Sequence, residues 1–330
     1  MSTLSKILRA LRNATDTGVH GTDISQKLGV SRAAVWSHIE ELRSLGYSID
    51  AGPHKGYQLV DVPDILIADD LISQLPEDTI IGNQIQVFRE TASTNQLVDQ
   101  MAMAGEPEGL VVFAESQTQG RGRLGRKWIS PAKKGLWFSV LLRPSLRPPQ
   151  MTQLTVIAAT ALARAIRETT TLLPAIKWPN DILINGRKVA GVLTEMSAEP
   201  DRVLHAVIGI GVDVNLEDED FPAELKPLAT SLRLEQGQPI LRSTLAVNLL
   251  RALNDDYARI RNGQFKSISE EWESQCITLQ KRVRIHQMDR TFEGFAESLD
   301  SEGALMIRNT GGHLERITGG DVTIEKEGPL

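Results

Sequence analysis

The segment Gly120-Arg121-Gly122-Arg123-Leu124-Gly125-Arg126-Lys127-Trp128 constrains the fold most: a cation-threaded glycine loop between two apolar runs, Leu110–Ala114 and Leu136–Leu142, that read as buried strands. Its glycines match G-x-G-x-x-G, a spacing that binds a dinucleotide only where the loop leaves a strand and opens a helix facing the pyrophosphate. The strand precedes the loop, but after Gly125 come Arg-Lys-Trp-Ile-Ser-Pro and a second strand run. No helix opens there, which disfavours the doubly wound dinucleotide fold. Two readings remain. The loop is a solvated basic hairpin tip, or it is an anion cradle in which backbone N–H groups and guanidinium forks meet a phosphate.

Two later segments favour the cradle. Lys177-Trp178-Pro179-Asn180-Asp181 and Gly186-Arg187-Lys188-Val189-Ala190-Gly191 add ammonium groups and a carboxylate. With the loop they supply the parts that hold a phosphate beside a reacting carboxylate, which points to acyl-adenylate chemistry. Asn180 and Asp181 orient a nucleotide or receive a metal, or they simply form a turn after Pro179.

With 330 residues, 41% hydrophobic and 24% charged, the chain can build two or three domains with a full core. A net charge of −6 argues against wholesale wrapping of nucleic acid and leaves room for a local DNA contact. The single cysteine, Cys276, excludes an internal disulfide framework and reads as a small buried hydrophobe. No apolar run reaches the length of a membrane span, so the expected location is the cytoplasm.

The first sixty residues read as a separate module. Leu4, Ile7, Leu8 and Leu11 recur at helical spacing, and Thr22–Leu28 is a short helix closed by Gly29. Ser31 caps a third helix whose inward stripe is Val35, Ile39 and Leu42. This is helix-turn-helix spacing. Ser31, Arg32, Trp36, Ser37 and His38, with Arg43 nearby, are placed to reach phosphates or base edges, and His54 and Lys55 sit on a wing between two short strands. The alternative is a three-helix protein-interaction module. Val62-Pro63-Asp64 reads as a hinge.

Beyond the hinge, helices are expected at Ser93–Met103, Met151–Thr170, Ser243–Arg261 and Ile268–Gln275. Strands are expected at Ile182–Ile184, Val189–Met196 and Val203–Ile210, with Asn185-Gly186 as a tight turn. The pattern predicts an α+β fold, a mixed sheet layered by helices. Short strands around 283–285, 291–295, 304–307 and 322–324 predict a small terminal β-barrel. Domains are expected at 1–63, 68–273 and 274–330.

Taken in order, Ser93-Thr94-Asn95-Gln96, Gln117 with the glycine loop, Lys177–Asp181, Gly186–Gly191 and Gly209-Ile210-Gly211 resemble the biotin protein ligases, in the bifunctional form that also represses biotin synthesis. The resemblance implies a winged helix, a class II synthetase-like ligase domain and an SH3-like barrel. It implies that biotin and ATP form biotinyl-5′-AMP, whose acyl group passes to a lysine of a biotin carrier protein, with Mg²⁺ on the ATP phosphates. It further implies operator DNA as a partner and a homodimer promoted by biotinyl-AMP. Charge neutralisation falls to Arg121, Arg123 and Lys188. Biotin is expected at Ser93, Thr94, Asn95, Gln117, Gly120, Arg121, Gly122, Arg123, Lys188 and Gly191. The nucleotide is expected at Trp128, Lys177, Asn180 and Asp181, and Asp181 is the one metal-ligand candidate. Many relatives read Ile-Asn after Gly211 where this chain has Val212-Asp213, so Asp213 stays outside the expected site. Lys133-Lys134 reads as a solvated tip. The cations of the Ser116–Trp128 loop should repel one another until an anion arrives. Rival readings are a ligand-sensing regulator without turnover and a lipoyl or other acyl ligase of the same fold.

Overall fold

The computed structural model describes residues 1–14, 18–52, 56–287 and 290–325. Helices α1 (Thr3–Arg12), α2 (Gly21–Leu28) and α3 (Arg32–Ser44) precede an antiparallel hairpin of β1 (Ser48–Gly52) and β2 (Gly56–Asp61). The helical stripes read from the sequence are buried together with Tyr47 and Ile49 in a core of their own. Gly29 closes α2 in the left-handed region at φ 66°, and the Ser31 hydroxyl accepts the Ala34 N–H at 3.1 Å. On α3, Trp36 is 58% exposed, with Arg32 and Ser37 exposed beside it. His38 lies 3.1 Å from the Glu41 carboxylate. Arg43 does not join this outward face: it donates to the Ile49 carbonyl and the Glu40 carboxylate, bracing β1. His54 and Lys55 fall outside the described residues.

The expected hinge is a clamp. Asp64 accepts from Asn215 and from Arg242, whose guanidinium is 0% exposed. Proline breaks the ladder at Pro63, but the next side chain is anchored by partners more than a hundred residues away. Immediately after it, α4 (Ala68–Gln74), a helix absent from the sequence reading, docks on α1. Arg12 forks onto Asp70, which is 2% exposed. Arg9 donates to the Ile72, Ser73 and Leu75 carbonyls at the end of α4, where orphan acceptors need partners. Ser5 donates to Asp69 at 2.6 Å.

The central unit runs β3 (Gln84–Phe88), α5 (Thr94–Met103), β4 (Leu110–Ala114), β5 (Leu136–Leu142), α6 (Thr152–Thr169), β6 (Ala175–Lys177), β7 (Asp181–Ile184), β8 (Arg187–Ala198) and β9 (Val203–Val212). Among the described residues the strands form one sheet in the order β3-β4-β5-β9-β8-β7-β6, parallel only between β3 and β4. Asn185 and Gly186 both have positive φ, as the tight turn requires. Next come α7 (Leu232–Gln236), α8 (Arg242–Arg261) and α9 (Phe265–Gln275). One sheet face is covered in the main core by α6, on which α8 packs in turn. On the other face α5 packs Val98 and Ala102 against Leu110, Val112, Leu141 and Val207. That leaves the β8–β9 end of this face open.

At the C-terminus, β10 (Lys281–Gln287), β11 (Arg290–Leu299), β12 (Leu305–Asn309), β13 (Leu314–Ile317) and β14 (Asp321–Ile324) pair antiparallel in the order β13-β12-β11-β10-β14. Val283, Ile285, Leu305 and Ile307 are continuous with the main core, since a unit this small cannot bury much by itself. Among the described residues no helix is long and apolar enough to cross a membrane.

Arg12→Met should cost about 3 kcal/mol, because it strands the buried Asp70 carboxylate without its partner. Urea unfolding of parent and variant measures the difference, and a shift under about 0.5 kcal/mol would show that α1 does not depend on this clamp.

Candidate functional site

A cavity of about 520 Å³ opens over the uncovered part of the sheet. Its floor is glycine by necessity. On the paired strands β8 and β9, Gly191 faces Gly211 and Leu193 faces Gly209. A Cβ on Gly209 would lie 1.9 Å from Asn95 Oδ1, and one on Gly211 would lie 2.7 Å from Trp128 Nε1. The bare backbone therefore seats the head of α5 on one side and the Trp128 indole on the other.

At the α5 end, neutral groups form a connected network. The Thr94 N–H and hydroxyl donate to Gln117 Oε1 at 2.9 and 3.2 Å, and Gln117 Nε2 donates to the Ser130 hydroxyl at 3.0 Å. Ser139 Oγ lies 2.8 Å from the Thr94 hydroxyl and donates to Asn95 Oδ1 at 2.6 Å. Asn95 Nδ2 is committed to Leu193 O and Glu195, so Asn95 ties the sheet together rather than offering a free donor. Ser93, Thr94, Asn95 and Gln117 all line the cavity. Ser130 and Ser139 were missed by the sequence reading, although a serine inside the apolar run Leu-Trp-Phe-Ser-Val-Leu-Leu was a visible signal.

The cations gather at the mouth. Arg121, Gly122, Arg123, Lys177, Asn180, Asp181, Lys188 and Gly191 line the cavity as expected. Gly120 does not; its carbonyl accepts the Trp128 N–H at 2.9 Å and closes the base of the loop. No helix follows the loop beyond a single turn, Arg123–Gly125. The expected mutual repulsion is offset at the three loop arginines and at Lys188, each of which has an acceptor brought from elsewhere in the chain. Arg121 donates to Glu195 at 3.2 Å, Arg123 to Asn180 Oδ1 at 3.1 Å, Arg126 to Asp321, and Lys188 pairs with Asp181 at 2.5 Å. Burial pushes the Arg123 guanidinium down, with Asp181 and Asp321 opposing that shift. Lys134, read as a solvated tip, bonds Asp220 at 2.6 Å, which raises its pKa and pins the segment carrying Leu216 and Phe221 to the cavity wall.

Trp128 presents its ring to the cavity with Lys188 Nζ 5.1 Å from the centroid, and its indole N–H is buried without a partner among the described residues. Near it the wall turns apolar through Leu216, Phe221, Leu225, Leu228 and Ala229. Two contributors lay beyond sequence reasoning. Gly320, Asp321 and Val322 bring the C-terminal sheet to the cavity, and Asp213, left out of the expected site, also lines it. Asp213 is 6% exposed, and burial drives its carboxyl well above the usual range, with Lys188 opposing. Among the described residues no group of three His, Cys, Asp or Glu side chains could cage a metal, and Asp181 is already paired with Lys188.

Residues 87–213 match the biotin/lipoate A/B protein ligase family, and residues 3–58 match an HTH domain. The bifunctional ligase/repressor BirA of Bacillus subtilis is 38% identical over 324 residues, 98% of this chain and 99% of that protein. BirA of Escherichia coli is 29% identical over 306 residues, 92% of each chain. The solved biotin protein ligase from Aquifex aeolicus in complex with biotin and ATP superposes with a TM-score of 0.63 at 28% identity, covering 74% of this chain and 99% of that one.

Asp213 carries a stability prediction. A carboxyl whose pKa is raised on folding favours the folded state at low pH and loses that contribution as pH climbs through its folded value. Asp213→Asn should therefore be more stable than the parent at pH 8, by about 1–3 kcal/mol, and indistinguishable from it near pH 4. Equal stability of the two proteins across that range would overturn the assignment.

Proposed function

We propose a function on one premise: the chain belongs to the family of bifunctional biotin ligase/repressors. It is an ATP-dependent biotin protein ligase that also acts through its helix-turn-helix module as a DNA-binding repressor. Biotin's carboxylate attacks the α-phosphorus of ATP, pyrophosphate leaves, and biotinyl-5′-AMP forms. The amine of a carrier-protein lysine then attacks the acyl carbon, and AMP departs with the bonding pair. No covalent enzyme intermediate is needed, since the mixed anhydride is already activated.

The observation that carries this reading is the division of one cavity: a neutral hydrogen-bonding end, a cationic mouth, and an aromatic and apolar section beside it. Neutral donors and acceptors at Thr94 and Gln117 suit a ureido ring, whereas a charged group there would go unpaired. Arg121, Arg123 and Lys188 suit the two anions that must approach each other, carboxylate and α-phosphate. Trp128 offers adenine a flat face, with Lys177, Asn180 and Asp181 beside the nucleotide. Mg²⁺ is proposed only as a companion of the ATP phosphates, since among the described residues no group of three His, Cys, Asp or Glu side chains could cage it. No step is assigned to it. The division of the chain at residues 63 and 273 is part of the same proposal, as is homodimerisation on formation of biotinyl-AMP. One recognition helix with few cations needs a second copy to reach operator affinity, and two modules on adjacent half-sites would combine their contacts.

Lys188→Ala should lower biotin-dependent pyrophosphate exchange by about 10²–10³-fold, the loss typical of one group aimed at developing charge. Near-parental exchange would remove Lys188 from the chemistry. Sedimentation with and without biotin plus ATP, read beside operator binding, checks the corepressor step. Unchanged mass and unchanged operator affinity would leave a ligase joined to a constitutive DNA-binding module.

A further inference from the structure

We infer that Glu195 is a positioning residue for the ligase reaction: it fixes the Arg121 guanidinium at the mouth of the cavity by anchoring it to the sheet through Asn95. The inference rests on the ligase reading above. Glu195 belongs to none of the sequence segments that resemble the family, and it does not itself line the cavity.

The register places it. Along β8, Gly191, Leu193 and Glu195 alternate on one face, opposite Gly211, Gly209 and Val207 of β9. Gly191, Leu193, Gly209 and Gly211 line the cavity, and Val207 packs under α5. Glu195 therefore stands where the cavity ends and α5 begins. One of its oxygens, Oε2, accepts from both sides: from Asn95 Nδ2 at 2.8 Å and from Arg121 Nη2 at 3.2 Å. Asn95 cannot drift, because its Nδ2 also donates to Leu193 O, its Oδ1 accepts from Ser139, and Gly209 lies against it. A chain of hydrogen bonds thus runs from the backbone of β8 through Asn95 and Glu195 to Arg121.

Its value to the reaction is preorganisation. Arg121 sits between two glycines on a loop, and an unanchored arginine would lose roughly 2 kcal/mol of rotamer entropy when a ligand ordered it. The bond to Glu195 uses one of five guanidinium donors. Arg121 also lines the cavity, so the other donors remain available to an anion. The pair is 46% and 40% exposed, which keeps its own contribution to stability small. Its effect therefore belongs to where the guanidinium is held, not to whether the protein folds.

The test is a double-mutant cycle on the full chain. Biotin-dependent pyrophosphate exchange and the dissociation half-life of biotinyl-AMP are measured for the parent, Glu195→Gln, Arg121→Ala and the double variant. E195Q retains an oxygen for Asn95 but loses the charge that holds Arg121. It should shorten the half-life and lower exchange by about three- to fivefold, the scale of a half-exposed ion pair, with an unchanged melting temperature. In the R121A background the same substitution should change nothing further. Parental behaviour of E195Q, or an undiminished effect without Arg121, would overturn the inference. If E195Q melts early, Glu195→Asp is put through the same cycle, with the same two outcomes deciding. A parent that exchanges no pyrophosphate with biotin would instead refute the ligase reading, so the two failures are distinguishable.

Discussion

The absence of three side chains from the middle of a sheet is the constraint on which the rest of this structure depends. Gly191, Gly209 and Gly211 leave bare backbone on neighbouring strands, and only bare backbone lets Asn95 and Trp128 approach as closely as they do. The opposite face of the same strands is covered by α6, on which α8 packs in turn. One sheet therefore separates a close-packed core from an open cavity. A methyl group on the wrong face of β9 would fill the space that the proposed site requires.

Around that floor, the chain solves the problem of crowding cations without a ligand. Glu195, Asn180, Asp181 and Asp321 reach the mouth from β8, the segment before β7, the start of β7 and β14, and each takes one positive group. Most of these pairs are partly exposed and individually weak. Weakness suits them, because an incoming phosphate can displace or share such partners at small cost. Asp213 follows the opposite logic: its burial disfavours the charged form, and the neighbouring Lys188 opposes that shift.

A single buried guanidinium joins the link after the helix-turn-helix module to the central unit. Arg242 donates to Asp64 in the interdomain link, to Glu115 at 2.5 Å, and to the Gly135 carbonyl. Glu115 lies two residues before Gln117, and Asn215, which also holds Asp64, lies two residues after Asp213. The helix-turn-helix module is thus attached to the same segments that carry the cavity, and α1 grips α4 beside it. Removing one partner from such a buried network is costly even where the network adds little net stability.

Much of this was legible in the sequence. Helical periodicity, Ser31 and Gly29 as caps, the Asn185-Gly186 turn and the strand–loop–strand setting of the glycine loop each depend on neighbours a few residues apart, so local physics suffices to read them. The ordered motifs also located most of the cavity lining. The short elements α4, β3, β6 and β13 were not read, because a three- to seven-residue segment carries too few periods to stand out and is held by its neighbours. Tertiary structure alone decided that Arg43 braces β1, that Asp64 is clamped, that Gly120 shapes the loop without entering the cavity, and that Asp213 and Asp321 do enter it. It alone decided which carboxylate meets which cation. Burial and charge pairing are properties of distance in space, and in this fold the decisive partners come from segments up to two hundred residues apart.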